Sequence, residues 1–448
     1  MRHVGWVALA ASVMIAMAVA AGRPHAVTAA PSGPRRTESE IRSLDIEFYE
    51  RRVAEDSFSA ADRSRLAGLY VQRARETGSD ADYERAAVLA RRSLRLREAH
   101  NGSTYVVLTS ALLARHEFAE ALRAARRLYA FDTADAGYTA LLGEVELEVG
   151  DYTSAGRRFA AVAKDADKPS IAARLARWYE VTGRLEKARA ILRQSVARLE
   201  GSDVPREQLA WFHNRLGELE LRSGQLDRAD SAFYRALAIQ PADYRALGGL
   251  ARSSAARGDW PVAVELGARA IAIQPDPTTL GAMSEAYAAL GDTAQAHSFA
   301  DAMAATALSQ PGAIHRAWGL FLLDHDRDVP RVLKEARLSV AARRDVYGYD
   351  LLAWAAYKAG HLNEARQAAA AAGAQGTEDA TLLYHGGVIA LAAGDSAGAR
   401  SMLARALAVN PRFDPKHVAH ARRTLEALGM ANTSLGPVPR TDGGTGRV

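Results

Sequence analysis

The chain has 448 residues, 48% hydrophobic, 24% charged and 7% aromatic, with no cysteine. The apolar share suits a folded chain rather than a disordered one, and the missing thiols exclude a disulfide framework, a thiolate zinc site, a cysteine nucleophile and a lipid-bearing leader cysteine. Lys plus Arg number 57 against 52 for Asp plus Glu, a net +5 with the signs interleaved, so no basic stripe for nucleic acid is expected.

At the N-terminus Arg2 and His3 precede an uncharged run over residues 4–22, followed by small residues at Ala18-Val19-Ala20 and Val27-Thr28-Ala29-Ala30. This pattern predicts a signal peptide over residues 1–30. The run is close to the ~20 residues that span a bilayer, so an uncleaved anchor is the alternative. No other stretch approaches that length, and the mature chain is expected to be exported to the periplasm or cell envelope without a further span. Residues 31–57 read as a polar linker running into a leading helix at about 41–55.

From residue 58 to 412 a unit recurs. It is seen in Gly150-Asp-Tyr-Thr-Ser-Ala155, Gly183-Arg-Leu-Glu-Lys-Ala188, Gly224-Gln-Leu-Asp-Arg-Ala229, Gly258-Asp-Trp-Pro-Val-Ala263, Gly291-Asp-Thr-Ala-Gln-Ala296, Gly360-His-Leu-Asn-Glu-Ala365 and Gly394-Asp-Ser-Ala-Gly-Ala399. Without the glycine it extends upstream to Ala121 and Ala86. Successive alanines from Ala86 to Ala296 lie 35, 34, 33, 41, 34 and 33 residues apart, and Ala399 is 34 beyond Ala365. A divergent eighth unit intervenes, with Val329 read in the alanine place.

Apolar residues between the turns recur at helical spacing, as in Ala229, Phe233, Ala236 and Leu237. Each glycine is placed to end a first helix in the left-handed conformation. The following aspartates (Asp151, Asp259, Asp292, Asp395) are placed to cap the second helix, and Pro241, Pro275 and Pro411 to terminate it. A hairpin of this size cannot cover its own apolar face and must stack on its neighbours. The break at Gly201-Ser-Asp-Val-Pro205 lengthens one connection. Residues 413–430 read as a capping helix with a polar outer face, and 431–448 as a disordered tail.

Leu216-Gly217, Gly224, Ala229, Phe233, Ala236 and Pro241 follow the order of the tetratricopeptide repeat, which this unit resembles; the fourth and tenth units repeat much of it. The resemblance implies an all-α, right-handed superhelical α-solenoid of about ten helix-turn-helix hairpins with a C-terminal capping helix. It also implies a scaffold that binds a protein or extended peptide in its concave groove. By the family's register, Trp211, Trp318, Phe321, Tyr347, Trp354, Tyr357 and Tyr384 lie at or near that groove. Tryptophan and tyrosine there would anchor a partner. The carboxylate clamp of chaperone-binding members is unmatched, since the comparable places hold Asn214, Glu218, Gly248 and Arg252.

Candidate chemistry is sparse. Asp324, Asp326, Asp328 and Glu335 fall at calcium-loop spacing, but Val329 stands where that loop needs glycine. His417 and His420 share a helix face without an evident third ligand. No serine elbow, phosphate loop or zinc-protease motif occurs. Neither a cofactor nor a metal is expected, and the chain reads as non-catalytic. The alternative is a metal-dependent or hydrolytic envelope enzyme using His and Asp residues of the eighth and ninth units.

Overall fold

The computed structural model describes residues 36–309 and 314–434, the last five as backbone only. The expected leader at 1–30 and residues 435–448 of the expected tail lie outside the described residues; residues 431–434, expected in that disordered tail, instead continue the last helix. A leading helix α1 (Glu38–Glu55) starts at a capping box in which Thr37 Oγ1 accepts from Glu40 N–H and Glu40 accepts from Thr37 N–H.

Among the described residues ten helical hairpins follow. The first five are α2–α3 (Ala60–Thr77, Asp80–Leu96), α4–α5 (Gly102–Ala114, Phe118–Phe131), α6–α7 (Ala136–Glu148, Tyr152–Val162), α8–α9 (Pro169–Val181, Leu185–Glu200) and α10–α11 (Arg206–Arg222, Leu226–Ile239). Next come α12–α13 (Tyr244–Arg257, Trp260–Ile273) and α14–α15 (Pro277–Ala289, Thr293–Leu308). The last three are α16–α17 (Arg316–Asp324, Val329–Ala342), α18–α19 (Val346–Lys358, Leu362–Gly373) and α20–α21 (Ala380–Ala392, Ser396–Val409). A final helix, α22 (Pro415–Ser434), closes the array. Among the described residues there is no strand.

The turn chemistry follows the sequence. Gly150, Gly183, Gly224, Gly258, Gly291, Gly360 and Gly394 all have φ between 68° and 84°. Asp151, Asp259, Asp292 and Asp395 each accept from a backbone N–H in the first turn of the next helix. In the second hairpin His116 takes the left-handed position in place of glycine. The eighth hairpin departs from expectation. Asp326 and Asp328 both adopt positive φ, which lengthens the turn, so Val332 (0% exposed) and not Val329 occupies the buried alanine place.

Small residues set the helix crossings. Phe233 is fully buried between Gly217 of its own hairpin and Gly249 of the next, and a Cβ on Gly217 would come within 2.5 Å of its ring. The first helices of consecutive hairpins touch one another (α6 with α8, α10 with α12, α12 with α14, α16 with α18), so they form the inner wall and the second helices the outer.

The array then closes on itself. Residues about 170–195 positions apart meet along a seam where the turns within early hairpins dock on inter-hairpin loops of later ones. Tyr152 Oη accepts from Val346 N–H at 2.7 Å, Thr377 Oγ1 donates to Val181 O at 2.5 Å, Asn410 Nδ2 donates to Leu221 O at 3.2 Å and Arg245 donates to Arg75 O at 2.6 Å. Three of the acceptors are carbonyls in or beside the last turn of an inner helix, groups that lack a partner within their own helix. Val346, Ala372 and Leu382 join Ala140, Ile171, Leu175 and Val181 in one apolar cluster, so the seam has a hydrophobic heart. Glycine makes the approach possible. A Cβ on Gly150 would fall on the Arg344 carbonyl and one on Gly183 on the Gly376 carbonyl, whereas one on Gly258, Gly291, Gly360 or Gly394 would meet nothing within 4 Å.

Candidate functional site

The inner wall is charged. Helix periodicity sends Glu144 and Glu148 from α6, Arg174, Arg177 and Glu180 from α8, and Arg215, Glu218 and Arg222 from α10 to one face. Arg174 pairs with Glu144 at 2.7 Å and Arg177 with Glu148 at 3.4 Å. Glu180 is 2% exposed and serves three guanidiniums: Arg215 at 2.8 Å, Arg177 at 3.8 Å, and Arg222. Further along, Arg252 bridges to Glu218, and Arg316 to Asp350 at 2.6 Å. The two clamp-position residues Glu218 and Arg252 therefore engage each other across the wall.

Coulombic attraction outweighs burial at these groups. Burial pushes the Glu180 carboxyl up, but Arg215, Arg222 and Arg177 together hold it at about 2. Asp350 is likewise held at about 2, with His385 and Arg316 overcoming its burial. Burial also works against the charged forms of Arg177 and Arg222, and the facing carboxylates win, raising both further. All these groups carry charge at neutral pH. The arginines nevertheless keep a quarter to a third of their side-chain surface open (Arg177 26%, Arg215 25%, Arg222 35%), so a ligand entering the lumen can reach them.

The seven aromatic residues placed at the groove by register fall into distinct settings. Tyr347 is half-buried on the charged wall, with the Arg177 and Arg316 guanidiniums over its ring at 5.3 and 5.0 Å. Trp354 (3% exposed) and Tyr384 (4%) are packed. Trp354 stacks on Tyr357 at 5.2 Å and His385 at 4.3 Å, and Tyr384 stacks on His417 at 4.3 Å. Trp318 (4%) stacks on half-buried Phe321 at 5.7 Å, in the same apolar cluster as Trp354 and Tyr384. Trp211 packs edge-on against Phe212 at 5.0 Å, apart from the rest. Burial accounts for Trp318, Trp354 and Tyr384 as packing between hairpins, which leaves Tyr347 as the ring beside the open arginines.

The calcium-spaced acids disperse. Asp324 accepts from Trp354 Nε1 at 2.9 Å, Asp326 pairs with Lys358 at 2.7 Å, and Glu335 lies 3.8 Å from Arg331 on α17.

The tetratricopeptide repeat family model matches residues 167–242, the span of the fourth and fifth hairpins. That match falls on two of the units whose glycine turns, alanine crossings and stacked hairpins have just been described, and helical hairpins stack in the same way through the rest, with His116 in the second turn and Asp326 and Asp328 in the eighth standing in for glycine. Residues 167–242 are tetratricopeptide repeats. No curated protein matches the chain. Solved structures similar to this repeat array include a tetratricopeptide repeat protein from Parabacteroides merdae (13% identity, TM-score 0.38, covering 54% of this chain and 93% of that one). The Cut9–Hcn1 hetero-tetramer of the APC/C (14%, TM-score 0.34, 87% and 93%) and a human IFIT1 dimer with PPP-AAAA (13%, TM-score 0.47, 75% and 78%) are also similar. Among the described residues no helix is long and apolar enough to cross a membrane.

The site residues that sequence reading missed are the wall arginines and glutamates. Each is one of many charged helical residues, and only the register of adjacent inner helices brings Glu180, Arg215 and Arg222 together.

Proposed function

We propose that this repeat array is an exported, non-catalytic scaffold that binds an extended, acidic segment of a partner protein along its inner wall. The observation that carries this reading is the crowding at Glu180, where one carboxylate faces the partly open guanidiniums of Arg215 and Arg222 and shares Arg177 with Glu148. A second carboxylate, supplied by the partner, completes charge-assisted hydrogen bonds that Glu180 alone cannot satisfy. Tyr347 offers a flat surface beside them at little entropic cost. Export is supported by the charged start and apolar run of residues 2–22.

The test is fluorescence anisotropy with labelled extended peptides, acidic against basic, at two salt concentrations. Acidic peptides should bind more tightly, weaken with salt and weaken about ten-fold or more in Arg222→Gln, the most exposed of the three. Equal affinity for both peptides, or for both proteins, would remove the wall from the binding account. N-terminal sequencing of the protein recovered from the cell envelope tests export, and an intact Met1 in a cytoplasmic fraction would refute it.

A further inference from the structure

Asp324 at the end of α16, His385 on α20 and His417 on α22 converge at the C-terminal end of the inner wall, each offering one ligand atom, all within 4.8 Å of one another. Three features go beyond proximity. First, His385 is 1% exposed and its Nδ1 lies 2.8 Å from Asp350 Oδ1, while its buried Nε2 has no hydrogen-bond partner. An unpaired ring nitrogen at that depth costs free energy unless something fills its lone pair. The carboxylate behind the ring is the arrangement that orients a metal-bound histidine and fixes its tautomer. Second, His417 Nε2 lies 3.5 Å from Asp324 Oδ1. Two ligands on a tetrahedral ion with bonds of about 2.0–2.2 Å sit roughly 3.3–3.6 Å apart. Third, the rings are held in place. His385 stacks on Trp354 at 4.3 Å, His417 stacks on Tyr384 at 4.3 Å, and Trp354 Nε1 donates to Asp324 Oδ1 at 2.9 Å.

We propose that Asp324, His385 and His417 bind one divalent transition-metal ion, with zinc the best fit, which ties the capping helix to the eighth and tenth hairpins. Two imidazoles and one carboxylate suit a borderline cation rather than calcium or magnesium, which take oxygen ligands. Three protein ligands leave a fourth position for water or for a donor from a partner. The His417–His420 pair is thereby split: His420 Nδ1 is 3.0 Å from Tyr384 Oη and stands outside the set. The site is independent of the acidic-peptide reading, since it shares no residue with the Glu180 cluster.

The full chain is dialysed against zinc and, separately, loaded with cobalt for visible spectroscopy. One equivalent of zinc and the intense d–d bands of a tetrahedral cobalt site are expected. His417→Ala, on the partly exposed capping helix, should weaken zinc by about 100-fold or more with an unchanged far-UV spectrum. His417→Gln should do the same while keeping the side-chain volume. Asp350→Asn, which touches no metal, should cost about 10–100-fold through the lost support of His385. His297→Ala, an exposed histidine on α15, should have no effect. Absence of stoichiometric zinc, or zinc affinity unchanged in both His417 variants, would overturn the site.

Discussion

The seam makes a sharp prediction about chemically identical substitutions. Gly183 and Gly394 both end a first helix with positive φ, 68° and 83°. Alanine at either position pays the left-handed penalty of roughly 1–2 kcal/mol, offset in part by the stiffer unfolded chain, about 0.4–1 kcal/mol. At Gly394 nothing lies within 4 Å of the new Cβ, so the net loss should be about 1.6 kcal/mol or less. At Gly183 the Cβ falls on the Gly376 carbonyl. Relieving that overlap costs typically 1–3 kcal/mol, and moving the loop breaks the Thr377–Val181 hydrogen bond, worth about 1 kcal/mol. Gly183→Ala should therefore lose roughly 2–5.6 kcal/mol on these terms. Urea unfolding followed by far-UV circular dichroism compares the two, with Gly291→Ala as a second open-space control. Equal midpoint shifts at Gly183 and Gly394 would mean that the turns do not dock.

Other outcomes follow from the same contacts. Thr377→Val keeps the volume but removes the donor to Val181 O, and should cost about 1–3 kcal/mol of unfolding free energy. Glu180, held at about 2 against an ordinary 4.5, contributes stability that is fully present above about pH 4.5 and lost as pH falls toward 2. Its size is about 3 kcal/mol at most, and Glu180→Gln should flatten that acid limb in a pH series of urea midpoints. Ala229→Leu, at a fully buried crossing, should overpack and cost about 1–3 kcal/mol by thermal melting. Trp354→Ala should destabilise by about 3–5 kcal/mol, because the ring is core rather than an exposed anchor. A Trp354→Ala protein of unchanged stability would return that residue to the groove.

The hairpins were legible because their signals are local. A glycine at a fixed place, an aspartate after it and an alanine five residues on each have a mechanism within one turn of chain, and Gly258, Asp259 and Ala263 behave as that mechanism requires. The eighth turn was misread at Val329 because two aspartates, Asp326 and Asp328, adopt a conformation that glycine usually marks. The groove aromatics were harder. Register places Trp354 and Tyr384 on inner helices, but not whether a neighbouring element covers them; His385 of the next hairpin covers Trp354, and His417 of the capping helix covers Tyr384. Asp324, His385 and His417 are separated by 61 and 32 residues, spacings with no local meaning, so their convergence depends on how inner helices stack. The seam was invisible for the same reason: Gly183 and Gly376 carry no sequence mark of each other.

Self-closure of the array is most directly tested by a distance across the seam. The cysteine-free chain accepts spin labels at Arg184→Cys and Glu378→Cys, which flank the Gly183–Gly376 contact. Pulsed electron–electron resonance should return a single short distance near the lower end of the measurable range. Six hairpins laid open at about 9 Å per helix layer would separate the labels by roughly 50 Å or more, and a distribution centred there would contradict the closed spiral.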